Sequence, residues 1–257
     1  MGAIEKLPLI IPVIRHNEVM PCFVGTSGWY YEHWAERFYP ADILKSELLP
    51  YFSRYFSTVE LNNSFYHLPT IQSFKNWYKK TPPDFIFSVK ASRTITHYKK
   101  LVNIEGSLEV FLSRVILLKE KLGPILYQLP PSLKKDINLL KSFLANLPKT
   151  LRQTIEFRDS SWLDKETFSL LSKFNIAHCI ISMEGFPLCL ETTADFVYIR
   201  MHGARYTTSY SEKDLKKWAG YIKDFLQKGL DVYIYFNNDY NAYAIENAKR
   251  IKELLNC

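Results

Sequence analysis

The sequence has little that would mark a disulfide framework, a metal centre or a membrane anchor. Its four cysteines, Cys22, Cys179, Cys189 and Cys257, form no CxxC pair and no zinc-ligand spacing. The expectation is scattered reduced thiols in a cytoplasmic protein. The six histidines, His16, His33, His67, His97, His178 and His202, make no HxH or HExxH pattern. No stretch approaches the roughly 20 apolar residues a membrane span needs, so no membrane partner is expected. The apolar run at the N-terminus is interrupted by Pro8 and Pro12 and is followed by no small-residue cleavage site, which argues against a signal peptide. Residues 1–21 read as an extension with some strand character. No Gly/Ser linker or low-complexity block divides residues 22–257, so one domain is expected there. Hydrophobic residues make up 47% and charged residues 23%, which excludes disorder, collagen and coiled coil. A core in a chain of 257 residues needs no disulfide staple.

What the chain has instead is alternation. Eight short segments rich in Val, Ile, Phe or Tyr and bounded by turn residues read as strands: Cys22–Thr26, Thr58–Asn62, Phe85–Lys90, Ile125–Gln128, Gln153–Arg158, Ile176–Ser182, Phe196–His202 and Val232–Asn237. Helical spacing of apolar residues lies between them, over Leu108–Leu122, Asp136–Asn146, Lys165–Phe174, Ser211–Gln227 and Ala242–Leu255. Gly123-Pro124 reads as the stop of the first of these, and Ser211-x-x-Asp214 as the start of the fourth. Eight strands alternating with helices over about 250 residues is the count of an α/β fold, a single (β/α)₈ TIM barrel. A doubly wound open sheet is the runner-up. Its Gly-rich phosphate turn is missing, because Gly25-Thr26-Ser27-Gly28-Trp29 lacks the GxGxxG spacing and a Trp would crowd a pyrophosphate.

A barrel strand sends alternate residues inward. In Val59-Glu60-Leu61-Asn62 the apolar pair faces the helices, so Glu60 and Asn62 face in. The same parity turns in Lys90, Glu156 and Arg158, and then Tyr198, Arg200 and His202. Gln128 joins them from the fourth strand. Strand 8 is ambiguous, but Asn237 and Asn238 close it. These residues gather at the C-terminal strand ends, where TIM-barrel enzymes keep their catalytic groups.

Burying an ion costs several kcal/mol even after relaxation unless it is paired. Five strong charges in one barrel mouth therefore need a reason. One is a self-satisfied network of Glu60 and Glu156 against Lys90, Arg158 and Arg200. That network has three cations against two carboxylates, and a small anionic ligand would complete it. Glu60 or Glu156 then reads as the general acid or base, with His202 assisting. Arg158 and Arg200 suit bidentate anion clamping. Lys90 would form a Schiff base if deprotonated, but the nearby carboxylates are expected to keep it charged. Three cations would repel a divalent ion, so neither a metal nor an organic cofactor is expected.

The loops around the mouth are aromatic. They carry Trp29-Tyr30-Tyr31 with His33-Trp34, Phe65-Tyr66-His67, His97-Tyr98 and Arg205-Tyr206. Trp29, Tyr66 and His97 are candidate substrate contacts that could stack on a sugar or base. Each ring alone is more readily explained by packing loops onto the barrel. The net charge of +7 sits partly in the doublets Lys79-Lys80, Lys99-Lys100, Lys134-Lys135 and Lys216-Lys217. Read as ordinary solvated faces they carry no message; read as a stripe they make nucleic acid the alternative partner. A metal-dependent hydrolase is a third reading. The sequence carries no signal for an oligomeric state.

The chain resembles the domain of unknown function 72 family, the YecE-like TIM-barrel proteins. The resemblance rests on motifs in order over about residues 22–255. They include Gly25-Thr26-Ser27-Gly28-Trp29, Phe38-Tyr39-Pro40, Val59-Glu60-Leu61-Asn62-Asn63-Ser64-Phe65-Tyr66, Phe87-Ser88-Val89-Lys90-Ala91 and Thr96-His97. The second half adds Gly123 to Pro131, Ile155-Glu156-Phe157-Arg158, Tyr198-Ile199-Arg200-Met201-His202-Gly203 and Tyr235-Phe236-Asn237-Asn238-Asp239. The resemblance implies a TIM barrel and places the motif residues in the inward set. It implies no activity. Two departures stand out. Such proteins often carry His where Asp159 follows Arg158. They often place an Asp after strand 6, where this chain has Ser182-Met183-Glu184, with Glu184 the stand-in.

Overall fold

The computed structural model describes residues 21–203 and 206–257. The N-terminal extension up to residue 20 and Arg205 of the seventh mouth loop lie outside the described residues. The strands are β1 (Cys22–Thr26), β2 (Thr58–Leu61), β3 (Ile86–Lys90), β4 (Leu122–Gln128), β5 (Gln153–Glu156), β6 (Ala177–Met183), β7 (Phe196–Gly203) and β8 (Asp231–Phe236). Every adjacent pair is parallel, in the order β1-β8-β7-β6-β5-β4-β3-β2. The ring closes between β1 and β2 through a bridge of Ser27 with Glu60 and a 2.8 Å bond from the Gly28 N–H to the Glu60 carbonyl. Closure demands glycine: a Cβ on Gly25 would lie 2.3 Å from the Thr58 carbonyl oxygen. The fold is the (β/α)₈ barrel.

Helices surround the ring. They are α1 (Leu48–Phe52), α2 (Asn63–Tyr66), α3 (Ile71–Lys80), α4 (Glu105–Val115), α5 (Ile137–Ala145), α6 (Lys165–Lys173), α7 (Glu212–Gln227) and α8 (Tyr243–Leu255). Side-chain caps fix several starts. Thr70, Asp136, Asp164 and Ser211 each accept the N–H three residues on. Two layers of core result. Val59, Leu61, Val89, Ile155, Ile180 and Ile199 pack outward against the helices. Leu126, Cys179, Tyr198, Tyr233 and Tyr235 fill the barrel interior.

The structure departs from the sequence reading at several elements. Helices α1, α2 and α3 have no counterpart in it, although Thr70 caps α3 and its apolar face buries Phe74. The helix expected over Leu108–Leu122 is α4 followed by a 3₁₀ stretch over Ile116–Lys121, with Lys119 at φ 50° breaking the spiral. Gly123-Pro124 does not stop that helix; it lies inside β4. The register explains why. Phe87 pairs with Leu122 and Val89 with Ile125, so β4 holds one extra residue, a bulge. Proline lacks the ladder N–H and tolerates a bulge. Gly123 lets the strands touch, since a Cβ there would lie 2.5 Å from the Ile86 side chain.

Candidate functional site

The site is a polar layer on the hydrophobic filling of the barrel. Strand period puts Ser27, Glu60, Glu156 and Arg200 at one level, and all four are buried. Arg200 bridges the two carboxylates. Its Nη2 donates to Glu60 Oε1 at 2.8 Å and its Nη1 to Glu156 Oε2 at 2.7 Å. Tyr198 donates to the other Glu60 oxygen at 2.7 Å. Ser27 also donates to Glu60, and receives Arg200 Nη2 at 3.2 Å and the Asn62 amide. Arg158 Nε donates to Glu156 Oε1. Each carboxylate oxygen therefore has a donor, and Glu156 holds two guanidiniums. Burial pushes the Glu156 carboxyl up, but Arg158 and Arg200 outweigh it and hold it well below the usual carboxylate range.

His202 stands above this layer. Burial, and then Arg200, push its imidazole well below the ordinary value, so the ring is neutral. Arg158 Nη2 lies 3.2 Å from Nε2. A guanidinium can only donate, so Nε2 accepts and the ring proton sits on Nδ1. The nitrogen of the Asn237 amide lies 3.0 Å from Nδ1, and the amide turned over by 180° presents its oxygen to that proton. Arg158 also reaches the Tyr206 hydroxyl at 3.2 Å and the Met183 sulfur at 3.0 Å.

Lys90 enters from the end of β3. Its Nζ lies 4.1 Å over the Phe65 ring. Among the described residues no carboxylate lies within 4.0 Å of it. Burial, and then Arg200, push its ammonium down to about 7, against the weaker pull of Glu156 and Glu60. This corrects the sequence reading, which had the carboxylates keep Lys90 charged. Their oxygens are already shared with two arginines, so desolvation wins. His97 packs edge-on against the same Phe65 at 4.9 Å, with its Nδ1 2.9 Å from the Thr96 hydroxyl. Burial and Lys90 lower its imidazole. It belongs to a π-helical turn, Thr94–Tyr98, an irregularity that concentrates at functional sites.

The remaining candidates divide. Gln128 is in register with Glu156 at the strand ends, half-buried. Tyr66 is exposed on the rim, with Arg93 5.7 Å from its ring centre. Trp29 turns away and packs edge-on against Trp77 of α3 at 5.5 Å. Asn238 also turns away: its amide donates to the Thr208 carbonyl at 2.8 Å and to Asn247 of α8 at 2.9 Å. Successive residues point to opposite faces, so Asn237 and Asn238 cannot both enter the mouth. Asp159 caps the turn Ser160–Trp162 and pairs with Lys134. Glu184 is exposed and lines a separate cleft with Lys217 and Trp218 of α7. The sequence reading placed Phe65 and Tyr206 among the mouth aromatics without assigning them to the site, and missed Ser27, which strand parity from Gly25 would have found.

Among the described residues, no group of three or more His, Cys, Asp or Glu side chains is arranged to hold a metal. No helix among them is long and apolar enough to cross a membrane. Two of the lysine doublets are engaged locally: Lys134 with Asp159, Lys135 with Asp164 and Glu166, and Lys216 with Glu212.

Comparison with known proteins places the whole barrel. Residues 23–257 match a family described as "Protein of unknown function DUF72". The chain is 26% identical to the UPF0759 protein YunF of Bacillus subtilis, over 91% of this chain and 94% of that protein. It is 31% identical to a DUF72 family protein of Thermotoga maritima whose crystal structure superposes with a TM-score of 0.85, covering 92% of this chain and all of that one. A DUF72 family structure from Enterococcus faecalis, at 18% identity and a TM-score of 0.80, shares the fold. With the barrel and these matches together, the chain belongs to the DUF72 family, a family of unknown function.

Proposed function

We propose that the barrel mouth binds a small anion-bearing molecule and carries out proton transfer on it, as an enzyme without a bound metal or organic cofactor. The observation that carries this reading is Lys90, a cation of the mouth with no carboxylate within 4.0 Å among the described residues. Arg200 and Arg158 neutralise Glu60 and Glu156, so a protonated Lys90 leaves the cluster at +1. An anion beside Lys90 and the outer edge of Arg158 restores balance in a partly dry site, where charge-assisted bonds are strong.

The acid–base role moves with the geometry. Glu60 and Glu156 are saturated with donors, so they serve as the frame that aims Arg200 and Arg158. A proton-transfer group works best with a pKa near the working pH. Lys90 meets that condition, and neutral His202 and His97 flank the arrangement. Asn62, Gln128 and Asn237 are the polar groups available for orienting the bound molecule, and Tyr66 the rim contact.

The test is thermal denaturation and calorimetry with inorganic phosphate and with pyruvate, against sodium chloride at equal ionic strength. The expected result is saturable stabilisation by at least one of the two anions, lost in Lys90→Met and Arg158→Met. Equal behaviour of phosphate, pyruvate and chloride overturns the reading.

A further inference from the structure

Anion binding alone leaves one feature of Lys90 without a purpose. A lysine that only supplies charge is best kept paired or wet, so that it stays protonated. Lys90 is instead placed over an aromatic ring, beside two arginines, with no carboxylate within 4.0 Å among the described residues. We propose that the Lys90 amine forms an imine with a 2-oxo acid, whose carboxylate is held by Arg158. The proposal rests on the anion-binding reading above and names its substrate class.

The geometry supplies what an amine nucleophile needs. Lys90 is the last residue of β3, at the C-terminal end of the barrel, and is half-buried. The Phe65 face 4.1 Å away removes water from one side without hydrogen-bonding the lone pair. Arg158 and Arg200, both fixed by Glu156, disfavour the ammonium. A large fraction of Lys90 is then unprotonated at neutral pH, with the value pushed down to about 7.

The step balances. The neutral amine attacks the carbonyl carbon, a C–N bond forms, and the C=O electron pair moves to oxygen. One proton passes from nitrogen to that oxygen, giving the carbinolamine. A second proton, taken from solvent, lets the hydroxyl leave as water and gives the protonated imine. His97, neutral and packed on the same Phe65, is the group placed to relay these protons. Charge is conserved in a favourable way. The iminium restores a positive charge where the ammonium had been lost, and the carboxylate of the oxo acid offsets it. Three cations then face three anions, which removes the surplus left by the protein alone. The iminium draws electrons from the neighbouring carbons, which is the chemistry such a lysine makes available.

The experiment is reduction trapping. Full-length protein is incubated with pyruvate or glyoxylate and sodium borohydride, and the modified peptides are mapped by mass spectrometry. The expected result is a mass gain equal to the oxo acid less one oxygen on the peptide carrying Lys90. It should exceed that on the exposed lysine Lys79 at least tenfold. Trapping should rise with pH to a half-maximum near 7, and excess inorganic phosphate should suppress it. Labelling of Lys90 no faster than Lys79 overturns the imine. If pyruvate still stabilises the protein against heat in that case, the anion-binding reading survives alone. If neutral acetaldehyde traps Lys90 as well as pyruvate does, the amine is a nucleophile but the anion clamp fails. Lys90→Met must abolish the adduct on that peptide. Should that variant not fold, Lys90→Arg serves as the second non-nucleophilic control.

Discussion

At the N-terminal end of the barrel, Arg152 lies 5.2 Å from the Phe196 ring centre, pairs with Asp231 and donates to the Tyr233 hydroxyl at 2.9 Å. At the C-terminal end, Arg200 bridges Glu60 and Glu156, Arg158 joins Glu156, and Lys90 has no carboxylate within 4.0 Å among the described residues. Both ends place an arginine among aromatic rings. The lower one is a single balanced pair that covers stacked aromatics, Phe23 on Tyr233 at 4.8 Å. The upper one is a deeper network with a cation in excess. A charge that only stabilises is matched by a carboxylate, as Arg152 is by Asp231, or held by hydrogen bonds, as Lys121 is by the Tyr78 and Thr81 carbonyls. A charge that remains unmatched and half-dry points to a ligand.

Removing the hub of the upper network should have the largest effect. Arg200→Met leaves two buried carboxylates facing each other, and should cost about 3–5 kcal/mol, read from denaturant midpoints. A loss under about 1 kcal/mol would mean that the carboxylates find other partners. Next comes acid sensitivity. The Glu156 carboxyl is held below its unfolded value of roughly 4.3. Its stabilisation is thus present above that pH and lost as pH falls towards the folded value. Unfolding below about pH 4 should therefore be steeper in the native protein than in Glu156→Gln, by the slope of one proton.

Lys90 should raise stability with pH as well, but by shedding a penalty on its charged form rather than by gaining a stabilised one. Its folded value of about 7 lies below the unfolded value of roughly 10.4. Between those limits the unfolded chain binds more protons, so stability rises with pH there, and the penalty is complete below about 7. Lys90→Met should flatten that rise and leave the midpoint at pH 7 unchanged or higher, while abolishing the anion response. A clear loss of stability would make Lys90 part of the frame. The smallest effect belongs to the lower end. Arg152→Met should cost about 1 kcal/mol or less, fade in high salt and leave anion binding intact.

The same contrast shows where residues spoke for themselves. Period-two alternation alone brought Glu60, Glu156, Tyr198, Arg200 and His202 to the interior, because an apolar neighbour on each side left no other face for them. Strand 8 has apolar or aromatic residues on both faces, Val232 and Ile234 outward and Tyr233 and Tyr235 inward, so Asn237 could not be told from Asn238. Gly123-Pro124 has the same composition in a helix stop and in a bulge, and only the pairing with β3 distinguishes them. The state of Lys90 was not legible at all. It depends on how two carboxylates divide their oxygens among three cations, a matter of ångströms rather than residue types.

The most direct measurement is a pH titration of Lys90 by carbon-13 NMR of its ε-methylene, assigned by comparison with Lys90→Met. The account predicts a midpoint near 7 that moves upward when phosphate or pyruvate is added, because a bound anion favours the ammonium. A midpoint near 10 that neither anion moves would contradict it.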